Sequence, residues 1–318
     1  DSSDLRKSNP STKAISLQLN NIIKVVLKGK GGNFIKVKVL APRLNITITS
    51  PSAAEIISKP EIMVKGNIIN FTGNETGVTV NGKVANVYGN QFVANNVSLV
   101  EGVNTITVTA KDTANNSATA SVTVNAVTTG SYVKLSSSLA SGIAPLTANF
   151  SISISNFTPA SYQMDYEGDG VVDYTGTTFE NISHTYTTEG IFYPTVTVTD
   201  NQGNTYSDTI AITVLSKTQL DALLKGKWEG MKGKLRNQDT EGALGYFVEE
   251  KREMYRYNFN LMNSILPAMI NDMGNIRLIR ITDDVAEYEM LATQDGVEYS
   301  FYVEFVKDSN GVWKLRFF

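Results

Sequence analysis

The chain has 318 residues, 42% hydrophobic and 19% charged, with no cysteine, a single histidine and a net charge of −3. That length implies two or three domains with cores of their own. The missing cysteines exclude disulfides, thiol catalysis and cysteine-ligated metals, the lone His184 excludes His-rich metal sites, and the weak negative charge argues against a nucleic-acid partner.

No apolar run approaches the roughly 20 residues of a membrane span. No secretory leader is visible, which fits a mature exported product beginning at Asp1. Charge divides the chain unevenly. Residues 1–43 carry nine Lys/Arg against two acids, a net +7; residues 44–216 carry five Lys against thirteen acids, a net −8; residues 217–318 are nearly balanced. Both tryptophans and six of the eight methionines fall in the last stretch, so a boundary is expected near Leu215 to Thr218.

The first expected unit is a basic β-strand arm, 1–43. The runs ISLQLNNIIKVVLK (15–28) and FIKVKVL (34–40) are apolar, basic and strand-like, and Ile35, Val37 and Val39 alternate with Lys36 and Lys38. The glycines Gly29, Gly31 and Gly32 sit in a lysine-rich turn with no helix after them, so they do not form a phosphate-cradling loop. The arm has three readings: extra strands on its own sandwich, a strand added to another subunit's open edge, or attraction to anionic cell-surface polymers. Opposite charge on arm and body favours head-to-tail self-association.

Residues 44–216 read as antiparallel β-structure. Apolar positions alternate at Ile106, Val108 and Ala110, at Ala120, Val122 and Val124, at Phe150, Ile152 and Ile154, at Val196 and Val198, and at Ile210, Ile212 and Val214. Asn81-Gly82 marks a two-residue hairpin and Asp200–Asn204 a second one. Short strands about ten residues apart indicate β-sandwiches. Thr, Ser and Asn dominate the outward positions, which together with the absence of cysteine suits bacterial or archaeal export.

Two modules carry family resemblances. Residues 46–126, with GVTVNGKVANVYGNQFV and SLVEGVNTITVTAKDTANNSATASVTVNA, resemble a bacterial Ig-like module of the glucodextranase B-domain type, and the expected module spans 44–127. Residues 132–215, with YQMDYEGDGVVDYTG and SHTYTTEGIFYPTVTVTDNQGNTYSDTIAITVL, resemble a polycystic-kidney-disease (PKD) domain, expected over 128–216. Tyr166-Glu167-Gly168-Asp169-Gly170 stands where many members have a phenylalanine-led FGDG. Both resemblances imply spacer or adhesion modules of large secreted proteins, and their order resembles that of Rhs-type surface proteins.

The last unit, 217–318, changes period. Leu220, Leu223, Leu224, Trp228, Met231 and Leu235 form one helical stripe. Asp239 or Thr240 is expected to cap a second helix through Ala243, Leu244 and Phe247. A third helical run covers Tyr255 to Met273 with a break at Pro267 and a stop at Gly274. Strands are expected at Ile276–Ile281, Val285–Ala292, Val297–Val306 and Val312–Phe318, turning at Asp295-Gly296 and Asn310-Gly311. DTEGALGYF, GNIRLIRI and NGVWKLRFF resemble parts of a nuclear-transport-factor-two-like or cystatin-like α+β cone.

The residues with the clearest chemistry are Asp165, Glu167, Asp169 and Asp173 in DYEGDGVVD. Alternating acids before a glycine turn supply the hard oxygens a structural Ca²⁺ requires, although Gly176 stands where an EF-hand-like loop has its bidentate acid. The alternative is an ordinary acidic turn. His184 is read as a packed structural histidine, because nothing around it forms a triad. Tyr255, Tyr257 and Phe259 beside Arg252 and Arg256 read as core plus a solvated face. Asp283-Asp284 and Glu249-Glu250 read as solvated surface. Eight Asn-x-Ser/Thr sequons (Asn45, Asn70, Asn74, Asn96, Asn115, Asn149, Asn156, Asn181) are what Asn/Thr/Ser-rich strands generate, or acceptors for glycans in a host that attaches them.

The expectation is a mainly β chain: tandem Ig-like β-sandwiches followed by an α+β cone-like domain. Its expected role is a non-enzymatic extracellular scaffold or adhesin that self-associates through the arm or binds other surface proteins or cell-surface polysaccharide. No cofactor is expected to be required; a structural Ca²⁺ at the acidic loop is the one candidate ion. The alternative is a ligand-binding or enzymatic terminal domain carried on β-sandwich spacers; a cone filled by Leu, Met and Phe would count against it.

Overall fold

The structure is a computed structural model that describes residues 44–294 and 297–318, all within one compact unit, Pro42–Phe318. The strand readings at 15–28 and 34–40, the glycine-rich turn between them and the Asp295-Gly296 turn lie outside the described residues. The chain is mainly β, with tandem sandwiches followed by an α+β region.

The first sandwich comprises β1 (Leu44–Ser50), β2 (Ile56–Ile57), β3 (Glu61–Asn70), β4 (Thr76–Val80), β5 (Lys83–Val84), β6 (Asn86–Tyr88), β7 (Gln91–Ser98), β8 (Gly102–Asp112) and β9 (Ser117–Ala126). Its sheets run β1-β3-β7-β6 and β2-β9-β8-β4-β5. The alternating residues Ile106, Val108 and Ala110 meet Val64, Val78, Val80 and Phe92 in one core, as a period of two with one buried face requires. Asn81 and Gly82 both have positive φ (47° and 82°), so the expected two-residue turn between β4 and β5 is of the type whose twist matches the strands.

The second sandwich comprises β10 (Tyr132–Ser137), β11 (Ser141–Ile143), β12 (Leu146–Ser155), β13 (Pro159–Asp165), β14 (Tyr174–Gly176), β15 (Ser183–Tyr186), β16 (Gly190–Phe192), β17 (Thr195–Asp200), β18 (Thr205–Thr209) and β19 (Ile212–Leu215). Leu135, Ala148, Met164, Tyr186, Val196, Val198 and Ile212 fill its core. The β17–β18 hairpin closes at Asp200 as expected, with Asn204 O accepting the Asp200 N–H at 2.9 Å.

The final region holds α1 (Lys217–Arg236), α2 (Thr240–Leu244), α3 (Glu249–Leu261), α4 (Leu266–Asp272), β20 (Ile276–Thr282), β21 (Val285–Gln294), β22 (Val297–Lys307) and β23 (Trp313–Phe317). Leu220, Leu224, Trp228, Met231 and Leu235 bury the α1 stripe against Tyr288, Val303, Phe305 and Leu315 of the sheet. Asp239 caps α2 by accepting the Gly242 N–H at 2.9 Å, but α2 stops at Leu244, and Phe247 instead bridges to Leu315. The third helical run starts at Glu249, earlier than its apolar spacing indicated, with Glu249 and Glu250 in its first turn, where acids suit the helix dipole. Pro267 does not interrupt a helix: it occupies the first turn of α4, where the missing N–H breaks no intrahelical bond.

Two sheets that look separate in sequence are one. The order β16-β19-β11-β20-β21-β22-β23 carries the second sandwich into the terminal region. β11 pairs in parallel with β19 and, through Gly142 and Thr282, antiparallel with β20.

Candidate functional site

The acidic loop follows β13. Asp165 accepts the N–H groups of Gly168 (2.7 Å) and Gly170 (2.8 Å). Both glycines have positive φ (78° and 89°), a conformation costly for other residues. Asp173 accepts the Tyr166 N–H at 2.7 Å, closing the loop across its base. Carboxylate oxygens of Asp165, Glu167 and Asp173 lie within 4.8 Å of one another. Asp169 is not in this group: its carboxylate turns back to accept the Val171 N–H at 2.9 Å, because an Asx turn satisfies it locally.

His184 packs against the loop. Its ring stacks on Tyr166 (4.8 Å between centroids) and meets Tyr186 edge-on (4.7 Å), and Nε2 lies 2.9 Å from Glu167 Oε1. The Tyr186 hydroxyl donates to Tyr166 O at 2.7 Å. Burial raises the Glu167 carboxyl above the usual carboxylate range; Asp173 and Asp169 push it further up, and His184 opposes them. The donors are all hard oxygens, and crowded negative charge is what a divalent cation relieves. Asp165, Glu167 and Asp173 are the residues that would hold Ca²⁺, and the ion would pin the loop to β13.

The interior of the terminal region is filled by side chains. Trp228, Met231, Phe247, Phe259, Tyr288 and Phe305 pack together under the sheet, and Phe318 stacks on Tyr255 at 5.4 Å. The Tyr288 hydroxyl donates to Asp221 at 3.0 Å, and burial raises its pKa. A cavity of about 570 Å³ lies outside this core, between the β8–β9 hairpin, the start of α3 and the β22–β23 hairpin, and its lining mixes six Lys/Arg with four acids.

The contacts that define the molecule are those between the three cores. Between the sandwiches, the Asn95 side-chain amide makes a reciprocal pair with the Ala211 backbone, both bonds 2.8 Å. Lys59 pairs with Asp208, which also accepts the Leu135 N–H at 2.7 Å, and Lys134 pairs with Glu61 at 2.5 Å. The Lys65 ammonium sits 4.4 Å from the Tyr193 ring centroid.

Between the first sandwich and the terminal region, Glu75 reaches across. Its Oε1 accepts the Trp313 N–H at 2.9 Å and its Oε2 faces the Lys227 ammonium, with both side chains 11% exposed. Lys307 donates to Asn86 at 3.0 Å. Gly77 lies so close to the β22–β23 hairpin that an added Cβ would stand 2.0 Å from Asn310 O.

Between the second sandwich and the terminal region, Asp283 accepts the N–H groups of both Ala140 and Ser141 at 2.9 Å and returns its own N–H to Ser141 O at 2.8 Å. Asp283 is therefore a connector and not merely solvated surface. Each region contacts the other two through buried or half-buried polar groups. Sequence reasoning missed Glu75, Asn95 and Asp283, whose partners lie far along the chain.

Residues 42–128 match the family model of glucodextranase, domain B. No curated protein matches the chain. Similar solved structures include the fibronectin(III)-like modules of CbhA from Clostridium thermocellum, at 14% identity over 54% of this chain and 94% of that one, with a TM-score of 0.22. The PKD1 domain of the Vibrio cholerae metalloprotease PrtV is 22% identical over 27% of this chain and 99% of its own, with a TM-score of 0.22. SGBP-B of the Bacteroides ovatus mixed-linkage glucan utilization locus, in complex with a mixed-linkage heptasaccharide, is 13% identical over 54% of this chain and 47% of its own, with a TM-score of 0.19. Among the described residues, no helix is long and apolar enough to cross a membrane.

Proposed function

We propose that the protein is a non-enzymatic scaffold of the cell surface or extracellular space, with a three-part body that bears load as one piece and a basic arm, residues 1–43, that joins copies. The observation that carries this reading is the three-way connection of the body. Glu75 ties the first sandwich to the terminal region, Asn95 ties the two sandwiches, and the β11–β20 pairing continues one sheet from the second sandwich into the terminal region. Flexible spacers have few contacts across their linkers; these junctions pair buried or half-buried charged and amide groups across the regions.

The match of residues 42–128 to a module of a polysaccharide-processing enzyme family supports an exported setting. The apolar filling of the terminal region weighs against the alternative of a ligand site inside that cone. Self-association rests on charge: the arm carries +7 and residues 44–318 carry −10, a contrast that steers copies together.

Light scattering on the full chain and on a chain lacking residues 1–43 tests the assembly. The full chain is expected to form oligomers that dissociate as salt rises, and the shortened chain to stay monomeric. Two equal monomer masses would overturn the arm's role.

A further inference from the structure

We propose that the edge of β9 at Ser117–Val122, unpaired among the described residues, receives the N-terminal arm of a second copy. This rests on the assembly reading above and adds to it the accepting surface. β9 pairs with β8 over ten consecutive positions with no register shift. On its other side, among the described residues, β2 pairs with Asn125 and Ala126 and leaves Ser117–Val122 without a ladder partner.

The orientation of the open backbone follows from that short contact. The Ala54 N–H donates to Thr123 O and the Asn125 N–H donates to Glu55 O, so the odd-numbered residues of β9 turn their backbone groups away from β8. Alternation then points the N–H and C=O of Ser117, Thr119 and Ser121 outward. All three residues are exposed, and these groups have no partner among the described residues. Side chains on the inward face are Ala118, Ala120 and Val122, which pack on the first core.

Exposed edges are ordinarily blunted by a bulge, a proline or a charge. β1, which packs across the sandwich from β9, has such protection: its register shifts between Ile48 and Ser50, and Pro51 follows. The segment SATASV of β9 has neither charge nor proline, and its register with β8 is unbroken. It is an acceptor for strand addition, in which main-chain hydrogen bonds supply affinity and alternate side chains supply fit.

The occupant is supplied by this chain. Residues 1–43 lie outside the described part, and the described core of the first sandwich is drawn from residues 46–126. Their sequence places Ile35, Val37 and Val39 against Lys36 and Lys38, with a second apolar, basic run at 15–28. Added to β9, such a strand extends the Ala118–Ala120–Val122 row with its apolar face and turns its lysines toward solvent. Donor and acceptor lie on one chain, so the contact is heterologous and repeats from copy to copy.

The test separates donor from acceptor. Thr119→Pro in the full chain removes an outward N–H and no bond to β8, the one setting in which a strand accepts proline; Ser121→Pro does the same one step on, and circular dichroism verifies that each is folded. The Thr119→Pro full chain keeps its arm and loses its acceptor edge, whereas the chain lacking 1–43 keeps the edge and has no arm. Each alone is expected to be monomeric by light scattering, and an equimolar mixture to form a one-to-one dimer. Proline variants that assemble like the parent, or a mixture that stays monomeric, overturn the β9 assignment while the arm-driven assembly of the parent stands. A parent that is itself monomeric overturns both.

Discussion

Glu75 is where the connection between the first sandwich and the terminal region can be broken by one residue. Glu75→Ala leaves the Lys227 ammonium, 11% exposed, without its anion, and leaves the Trp313 N–H without an acceptor. Removing one partner of a buried pair costs about 3–5 kcal/mol, and an unmet buried donor costs roughly 1–3 kcal/mol. The two overlap, because the chain can open locally and let water reach both groups. The net expectation is about 3 kcal/mol, which corresponds to a fall in melting midpoint of roughly 6–12 °C for a chain of this size class. Glu75→Gln combined with Lys227→Met keeps an oxygen for Trp313 and removes the orphaned charge, and is expected within about 1 kcal/mol of the parent. The assay is urea unfolding of residues 42–318, followed by tryptophan fluorescence, for the parent, Glu75→Ala, Glu75→Gln, Lys227→Met and the Glu75→Gln/Lys227→Met double. A loss below about 1 kcal/mol for Glu75→Ala, or a double variant as unstable as the sum of its parts, would refute the reasoning.

Gly77→Ala places a Cβ against Asn310 O, so it is expected to cost about 1–3 kcal/mol by overpacking and to speed proteolysis between the first sandwich and the terminal region. Asp112, 3% exposed, is held to a pKa of about 2: burial would raise it, and donors from Asn116, Asn74 and Thr72 outweigh burial. Its contribution is fully present above the ordinary carboxylate pKa and disappears as pH falls through about 2. Asp112→Ala is therefore expected to lose about 2 kcal/mol at neutral pH, a difference from the parent that vanishes in strong acid in pH-dependent urea titrations. Millimolar Ca²⁺ is expected to raise the melting midpoint of the parent and not of Asp165→Asn, and an equal response would remove the cation from the loop.

Much of the fold was legible because the signals are local. Period-two alternation marked β8, β12, β17 and β19, Asn81-Gly82 marked a turn that needs two positive φ values, and the Leu220–Leu235 stripe marked α1. Pro267 was misread because a proline that breaks a helix interior also suits a helix start, and only the backbone around it tells the two apart. The acids of the 165–173 loop were visible as a motif, yet which of them converge depends on turn geometry: Asp169 closes its own Asx turn while Asp165, Glu167 and Asp173 meet. The junctions left no trace. Asn95 and Ala211 are 116 positions apart, Asp283 reads as a turn residue, and β11 has three residues, too few for any periodicity.

Small-angle X-ray scattering on residues 42–318 tests most directly whether the three regions move as one body. A rigid three-part body gives a bell-shaped Kratky profile, unchanged between low and high salt, and Glu75→Ala adds the rising tail of a loosened chain. A parent profile that already rises at high angle, as three modules on free linkers would give, would contradict it.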